Sequence, residues 1–479
     1  MNVGKINLPF WLLAAAAIIG LTLPGLIQDG MFMDAMLYTS VSHNLSQGIG
    51  TFWFPQFSYR GLSGLSSFHE QPPLVFGIQA LFFKILGNGM YTERIYTFTT
   101  TCLSAWLINI LWKDIYNTDN TALKKMGWLP VILWITVPIC FWSYSYNMQE
   151  NTMGIFTLAS VIFACRAVRS QEFKPSLYIA GGLFLFLATL SKGVPGLFPL
   201  SIPLLYLLTT GKSSFRRMLY GSAVLIAVPV MVYGILLLYR SSRESLSLYF
   251  FYRLIGRIHD EPTVSNRLTS LWMLINELIP QMAVTLLVFI LTGFRRAKTF
   301  LNKEKVSDVL FFITVGLSGS VPLMLTLVQK SFYLVPSIPY FAVAAAIIMA
   351  PLLQNSSRYL VFSGKWHKAL LRSSTILVVF AIIISVLQAG KVRREKDVLD
   401  DVYQIGKVVP RFSVITIPAD MWNEWELQSY LMRYYNISID PDVMYQYYLT
   451  DSKLKSPIPA PYVKVDAGLG RYSLYRRKN

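Results

Sequence analysis

The chain has 479 residues, 54% of them hydrophobic and 14% charged, with a formal net charge of +18 and a mean hydropathy of +0.46. A soluble fold of this size does not carry so apolar a composition, and here the apolar residues come in long blocks. Soluble readings are excluded, and the positive balance is mostly a topology signal that gives little support to nucleic acid as a partner.

A helix needs about 20 apolar residues to cross roughly 30 Å of hydrocarbon. Blocks near 8–27, 94–112, 127–143, 151–168, 176–191, 194–210, 218–239, 276–293, 308–328, 332–352 and 369–389 therefore predict about eleven spans. Only Ser191-Lys192-Gly193 divides 176–191 from 194–210, which leaves open whether these are merged or broken helices. Lys5 precedes the first block as it would in a signal peptide, but Ala14 to Ala17 lie inside the apolar run rather than after it. A retained anchor is the better reading.

Between the first two full-length blocks lies a polar interruption from Gln28 to Glu93, holding Asp34 and the run Phe68-His69-Glu70-Gln71-Pro72-Pro73. The apolar stretch 72–86 inside it is short for a span, opens with two prolines and contains Gln79 and Lys84. It predicts an interfacial or re-entrant helix. Trp53, Phe54, Phe57, Tyr59 and Phe68 suit sugar stacking and a membrane-interface belt equally well.

Lysine and arginine placement orients the spans. With the N-terminus inside, the inner loops carry Lys113, Lys124 and Lys125, then Arg166, Arg169 and Lys174, then Lys212, Arg216 and Arg217. Arg295, Arg296, Lys298, Lys303 and Lys305 follow, and finally Arg358, Lys365, Lys368 and Arg372. The outer loops are poorer, except that 240–275 holds Arg240, Arg243, Arg253, Arg257 and Arg267. Those arginines fit either an anionic ligand or a long loop that tolerates charge.

An odd number of spans places the C-terminus outside. Residues 393–479 mix acids and bases and predict a small α/β domain, with 1–392 as the membrane domain. Val414 to Ile417 reads as a buried strand, Trp422 to Tyr435 as a helix, and 462–466 with 471–475 as a hairpin. Cys102, Cys140 and Cys165 fall in predicted spans and read as packing residues. The sequence shows no phosphate-binding glycine loop and no dinucleotide fingerprint.

Chemistry must then come from polar groups at the membrane boundary. Asp29, Asp34, His69, Glu70, Tyr144, Asn147, Glu150, Lys192, Lys330 and Tyr333 all fall on the outer side in this topology. Singly, each has a plain alternative: Glu150 opens a helix, where the dipole favours a negative charge, and Lys192 or Lys330 can snorkel. Their convergence from separate loops argues for a site. His69 and Glu70 are adjacent and offer two ligands to a divalent cation, short of a full set.

These residues resemble, in order, the motifs of GT-C glycosyltransferases of the protein mannosyltransferase and lipid A aminoarabinose transferase group. Asp34-Ala35-Met36-Leu37-Tyr38 is similar to the family's Asp-Glu-x-Arg-Tyr element and is followed by a similar amphipathic helix. Glu70-Gln71-Pro72-Pro73 resembles its Glu-Lys-Pro-Pro, and Arg94-Ile95-Tyr96 keeps the arginine of its Arg-Leu-Pro. Glu150-Asn151-Thr152-Met153 stands where a second acidic residue starts the fourth span. Lys192-Gly193-Val194-Pro195 resembles its Lys-Gly-Pro stretch, and Lys330-Ser331-Phe332-Tyr333-Leu334-Val335-Pro336 its Lys-x-x-Tyr-x-x-Pro. The likeness runs from about residue 8 to 350. Ala35 and Leu37 depart from it, and Gln71 replaces a lysine implicated in holding the donor phosphate.

The resemblance implies an α-helical polytopic membrane enzyme that moves a sugar from a polyprenyl-phosphate donor to a glycan, lipid or protein acceptor. Its implied base is Asp34, with Glu150 second and Glu70 shaping the entrance. Phosphate and substrate binding fall to Arg94, Lys192, Lys330, Tyr333, Tyr38 and His69, or to the outer-loop arginines. The expected location is a bacterial inner membrane, with the active site and C-terminal domain on its extracytoplasmic face. The competing readings are a secondary transporter, which would keep its key polar groups near mid-bilayer between repeats, and a membrane oligosaccharide ligase or polymerase.

Overall fold

The computed structural model describes residues 3–61, 66–116, 121–256, 261–292, 303–361, 364–454 and 457–478. The basic residues Arg257, Arg295, Arg296 and Lys298 lie outside the described residues. Nine described helices are long and apolar enough to cross a bilayer, from Asn7–Leu26 to Gly364–Gln388. Gln149–Arg169 and Ser331–Gln354 are the most enclosed of them.

Two of the expected spans take another form. The block at 127–143 is a helix pair, Ala122–Ile135 and Pro138–Tyr144, bent by 87°. Pro138 cannot continue the helical ladder, and the neighbouring helix Thr269–Thr292 satisfies what the break exposes. Its Glu277 Oε2 accepts the Ile139 amide at 2.7 Å, and Gln281 Nε2 donates to the Leu133 carbonyl at 3.1 Å. The block at 194–210 is a shorter apolar helix, Val194–Thr210, whose first part, Val194–Ser201, is a 3-10 helix containing Pro195 and Pro199. Gly193, at φ +76°, separates it from Pro175–Lys192. That left-handed turn suits glycine and makes two helices of what could have been one.

The stretch at 72–86 forms the short helix Leu74–Leu86. It packs against the first-loop helix Met33–Ser46. The latter is buried on every side, with Ala35 to Asn44 all enclosed, rather than on one face as an amphipathic helix would be. The second face is covered by the C-terminal helix Trp425–Tyr435, onto which Ser40 Oγ donates at the Ser429 carbonyl, 2.9 Å. Phe57 and Phe68 are core residues packed with Phe76 and Tyr38, so of the first-loop aromatics these two are not available to stack on a sugar.

The C-terminal sheet has five strands: β1 Val414–Thr416, β2 Ser438–Asp440, β3 Tyr447–Asp451, β4 Tyr462–Val465 and β5 Tyr472–Arg477, in the order β2-β1-β3-β5-β4. β1 pairs in parallel with β2 and β3, while β5 pairs antiparallel with β3 and β4. The expected strand, helix and hairpin are present as β1, Trp425–Tyr435 and β4–β5; β2 and β3 had no alternation strong enough to read.

A buried ionic network ties this sheet domain to the bundle. Arg433 Nη2 meets Glu93 Oε2 at 2.7 Å, Glu93 Oε1 meets Arg94 Nη1 at 2.8 Å, and Arg94 Nη2 lies 3.4 Å from Asp29 Oδ1. Tyr434 donates to the same Asp29 oxygen at 2.6 Å and Tyr403 to the other. Removing one member of a buried network strands its partners, which costs about 3–5 kcal/mol. Arg433→Met is accordingly expected to lower the thermal unfolding temperature in detergent and to make the C-terminal domain the first part cut by limited proteolysis.

Candidate active site

A cavity of about 450 Å³ opens where the Val194–Thr210 segment, the end of Lys303–Leu325 and the segment after Leu238 meet. Most of its wall is apolar, including Val194, Leu197, Phe198, Leu323, Leu325 and Val328. Its polar lining comprises mainly Glu70, Gln71, Glu150, Lys192, Arg253 and Tyr333. Four of the sequence-predicted residues, Glu70, Glu150, Lys192 and Tyr333, are thus brought together from separate elements.

Glu150 and Lys192 are placed by helix ends. Met148 is extended, so Gln149–Arg169 starts one residue before Glu150 and holds it in the first turn. Lys192 is the last residue of its own helix before Gly193 turns the chain. The two side chains, both buried, form a direct ion pair. The Lys192 ammonium also sits 5.3 Å from the centroid of the Tyr333 ring and 5.9 Å from that of Phe332, within cation–π range. Among the described residues Glu150 Oε2 accepts no hydrogen bond, although it is buried. An unmet buried acceptor of this kind calls for a partner from outside the chain.

Tyr38 stands one helical turn after Asp34 on the same face of Met33–Ser46. Gln71 Nε2 lies 3.4 Å from its hydroxyl. Burial pushes the Tyr38 hydroxyl well above the usual range, and the charges of Asp34 and then Glu150 push it further. Tyr38 is therefore a neutral donor at physiological pH, within electrostatic reach of both carboxylates. Asp34 is half-buried in the first helical turn and is not among the residues that line the cavity.

Glu70 pairs with Arg253, its Oε2 lying 2.9 Å from Nη1. Arg253 belongs to the helical turn Tyr249–Ile255, and its presence in the cavity favours the ligand reading for at least this one of the arginines in 240–275. Sequence reasoning had grouped it with four others and could not single it out. Arg240, by contrast, pairs with Glu244 at 2.7 Å on the surface.

The remaining predicted residues lie elsewhere. Arg94 is buried in the network with Glu93 and Asp29, also donates to the Gln28 carbonyl at 3.0 Å, and is not part of the cavity lining. Lys330 is exposed and outside the lining as well. His69 is buried, its Nε2 2.7 Å from Ser67 Oγ and its Nδ1 3.5 Å from Ser245 Oγ. Burial lowers its pKa to about 4, which keeps the ring neutral. Among the described residues no three His, Cys, Asp or Glu side chains gather as a metal site would require, and Glu70 is engaged by Arg253.

At the opposite end of the bundle Arg166, Arg169, Lys174, Lys212 and Lys305 surround a polar cleft. Arg166 pairs there with Asp114 at 2.6 Å and Arg169 with Asp308 at 2.8 Å. These five of the bases that the sequence grouped on one face share one end, away from Glu150 and Lys192.

Residues 70–236 match the family model described as dolichyl-phosphate-mannose-protein mannosyltransferase. That segment contains Glu70, Glu150 and Lys192. No curated protein is similar enough in sequence to count as a relative. Among solved structures, ArnT from Cupriavidus metallidurans bound to undecaprenyl phosphate superposes with a TM-score of 0.66 at 12% identity, over 99% of this chain and 98% of that one. Its apo state gives 0.63 at 11% identity, over 98% and 97%. The oligosaccharyltransferase of Archaeoglobus fulgidus, in complex with Zn and sulfate, gives 0.54 at 13% identity, over 92% of this chain and 68% of that one. Nearly the whole chain thus has the fold of the ArnT structures, and residues 70–236 carry the signature of the mannosyltransferase family model.

Proposed function

We propose that the protein transfers a sugar from a polyprenyl-phosphate donor to an acceptor hydroxyl on the extracytoplasmic face of a bacterial inner membrane. The observation that carries this reading is the cavity itself: apolar over most of its wall, with Lys192 and Arg253 beside Glu150 and Glu70 in its polar part. A lipid tail fits the apolar part and an anionic phosphate the cations. ArnT, solved with undecaprenyl phosphate, gives a fold-level precedent for such a ligand. Glu150 stands at the start of one membrane-length helix and Lys192 at the end of another, a boundary position, whereas a transporter keeps its key polar groups near the bilayer midplane.

In this reaction the acceptor hydroxyl gives its proton to Asp34 and attacks the anomeric carbon. The bond from that carbon to the phosphate oxygen breaks, the electron pair leaves with the phosphate, and configuration inverts. Lys192 and Arg253 stabilise the charge that grows on the leaving group, where preorganised cations contribute most. Asp34 is the base in this reading, and Glu150 serves as the partner of Lys192. The acceptor is a glycan, lipid or protein.

Arg253→Ala is expected to lower kcat/KM for a polyprenyl-phosphate sugar by on the order of 10²-fold, because a charge pair in a cavity loses one member. Mass spectrometry of envelope glycans and lipids, from cells with and without the gene, tests the function as a whole. One sugar modification should vanish on deletion and return with the wild-type gene. An unchanged envelope, together with no binding of undecaprenyl phosphate by the purified protein, would overturn the reading.

A further inference from the structure

The polar part of the cavity is electrically balanced. Glu150 is paired with Lys192 and Glu70 with Arg253, so an entering anion meets cations that already have carboxylate partners. The two pairs differ in setting. Glu150 and Lys192 are enclosed, at 1% and 7% side-chain exposure, whereas Glu70 and Arg253 are 28% and 29% exposed. The exchangeable pair is the second. Its arginine comes from the turn Tyr249–Ile255, which has no buried residue, while Glu70 is fixed just before Pro72 and Pro73 in the first loop.

We infer that Glu70 competes with the lipid phosphate for Arg253 and so expels the spent carrier after transfer. This rests on the proposed reaction, and the charges follow from it. The donor is a phosphodiester with one negative charge. Once the bond to the sugar breaks, the carrier keeps a phosphomonoester of about −1.5 to −2 at neutral pH. Arginine alone would hold this product more tightly than the donor, and each turnover would end in an inhibited enzyme. A carboxylate paired to the same guanidinium offsets its charge, and the lost attraction is larger for the more highly charged product than for the donor. It also supplies Arg253 with a partner once the carrier leaves. Glu70 is thus a positioning residue for product release, and the bond-making steps belong to Asp34.

The experiment is binding of undecaprenyl phosphate to the full-length protein in nanodiscs, for wild type, Glu70→Gln, Arg253→Ala and the double variant. Glu70→Gln should bind on the order of 10-fold tighter and, in turnover, show stronger inhibition by added undecaprenyl phosphate. Arg253→Ala should bind weakly, and the double variant should match it. A merely structural role for Glu70 would weaken binding, and this outcome, or no change, overturns the inference while the loss in Arg253→Ala leaves the donor site standing. A double variant that binds much tighter than Arg253→Ala also overturns it, since Glu70 would then act without Arg253. Wild-type binding by Arg253→Ala removes the site reading itself, and the inference with it. Should Glu70→Gln not fold, Glu70→Ala read against its own double variant gives the same comparison.

Discussion

Asp34→Asn is expected to lower the rate of sugar transfer by about 10²–10⁴-fold, the usual worth of a positioned general base, with expression and membrane insertion intact. Asparagine keeps the size and much of the hydrogen-bonding capacity of the aspartate but cannot take a proton. Asp34 lies in the first turn of Met33–Ser46, where no side chain caps the helix and where a negative charge contributes about 0.3–1 kcal/mol through the dipole. The kinetic signature separates this role from binding: kcat should fall while KM for the lipid donor and the affinity for undecaprenyl phosphate stay near wild type. Turnover of Asp34→Asn at the wild-type rate with a polyprenyl-phosphate sugar would remove Asp34 from the mechanism and make Glu150 the next residue to test.

How much of this site could be read from the sequence depended on what kind of contact placed each residue. Glu150 and Lys192 were legible because each sits where an apolar run begins or ends, and helix ends are marked in a sequence by polar residues and by breakers such as Gly193. Glu70 was legible through the two prolines that follow it. The resemblance alone directed Arg94 toward the phosphate, and a motif match names a base without naming its partners; here Glu93 and Asp29 hold it outside the cavity lining. Arg253 had the reverse fate. Its loop showed only an excess of arginines on the unexpected side, and no periodicity could say which of them turns inward. The all-round burial of Met33–Ser46 was hidden for a similar reason, since its covering helix Trp425–Tyr435 lies almost 400 residues away along the chain. Local pattern announces helices and their ends; contacts across such separations do not write themselves into either segment alone.

A large loss of stability is expected at Lys192. In Lys192→Met the Glu150 carboxylate would stay buried without its ammonium, and its second oxygen already lacks a hydrogen bond among the described residues. Stranding a buried charge costs about 3–5 kcal/mol, so thermal unfolding in detergent should move well below wild type and transfer should cease. Loss of activity in that variant alone would not separate a catalytic pair from a packing pair. The double variant Lys192→Met, Glu150→Met does, because replacing both charges by apolar side chains of similar volume is often neutral or stabilising, by about 1–4 kcal/mol. Its unfolding temperature should return to near the wild-type value. If the ammonium stabilises charge growing on a departing phosphate, transfer stays lost in this restored fold, and only Lys192→Arg, which keeps a cation over the Tyr333 ring, recovers part of it. Full activity in the restored double variant would reduce the pair to packing and leave Arg253 as the cation on which the donor phosphate depends.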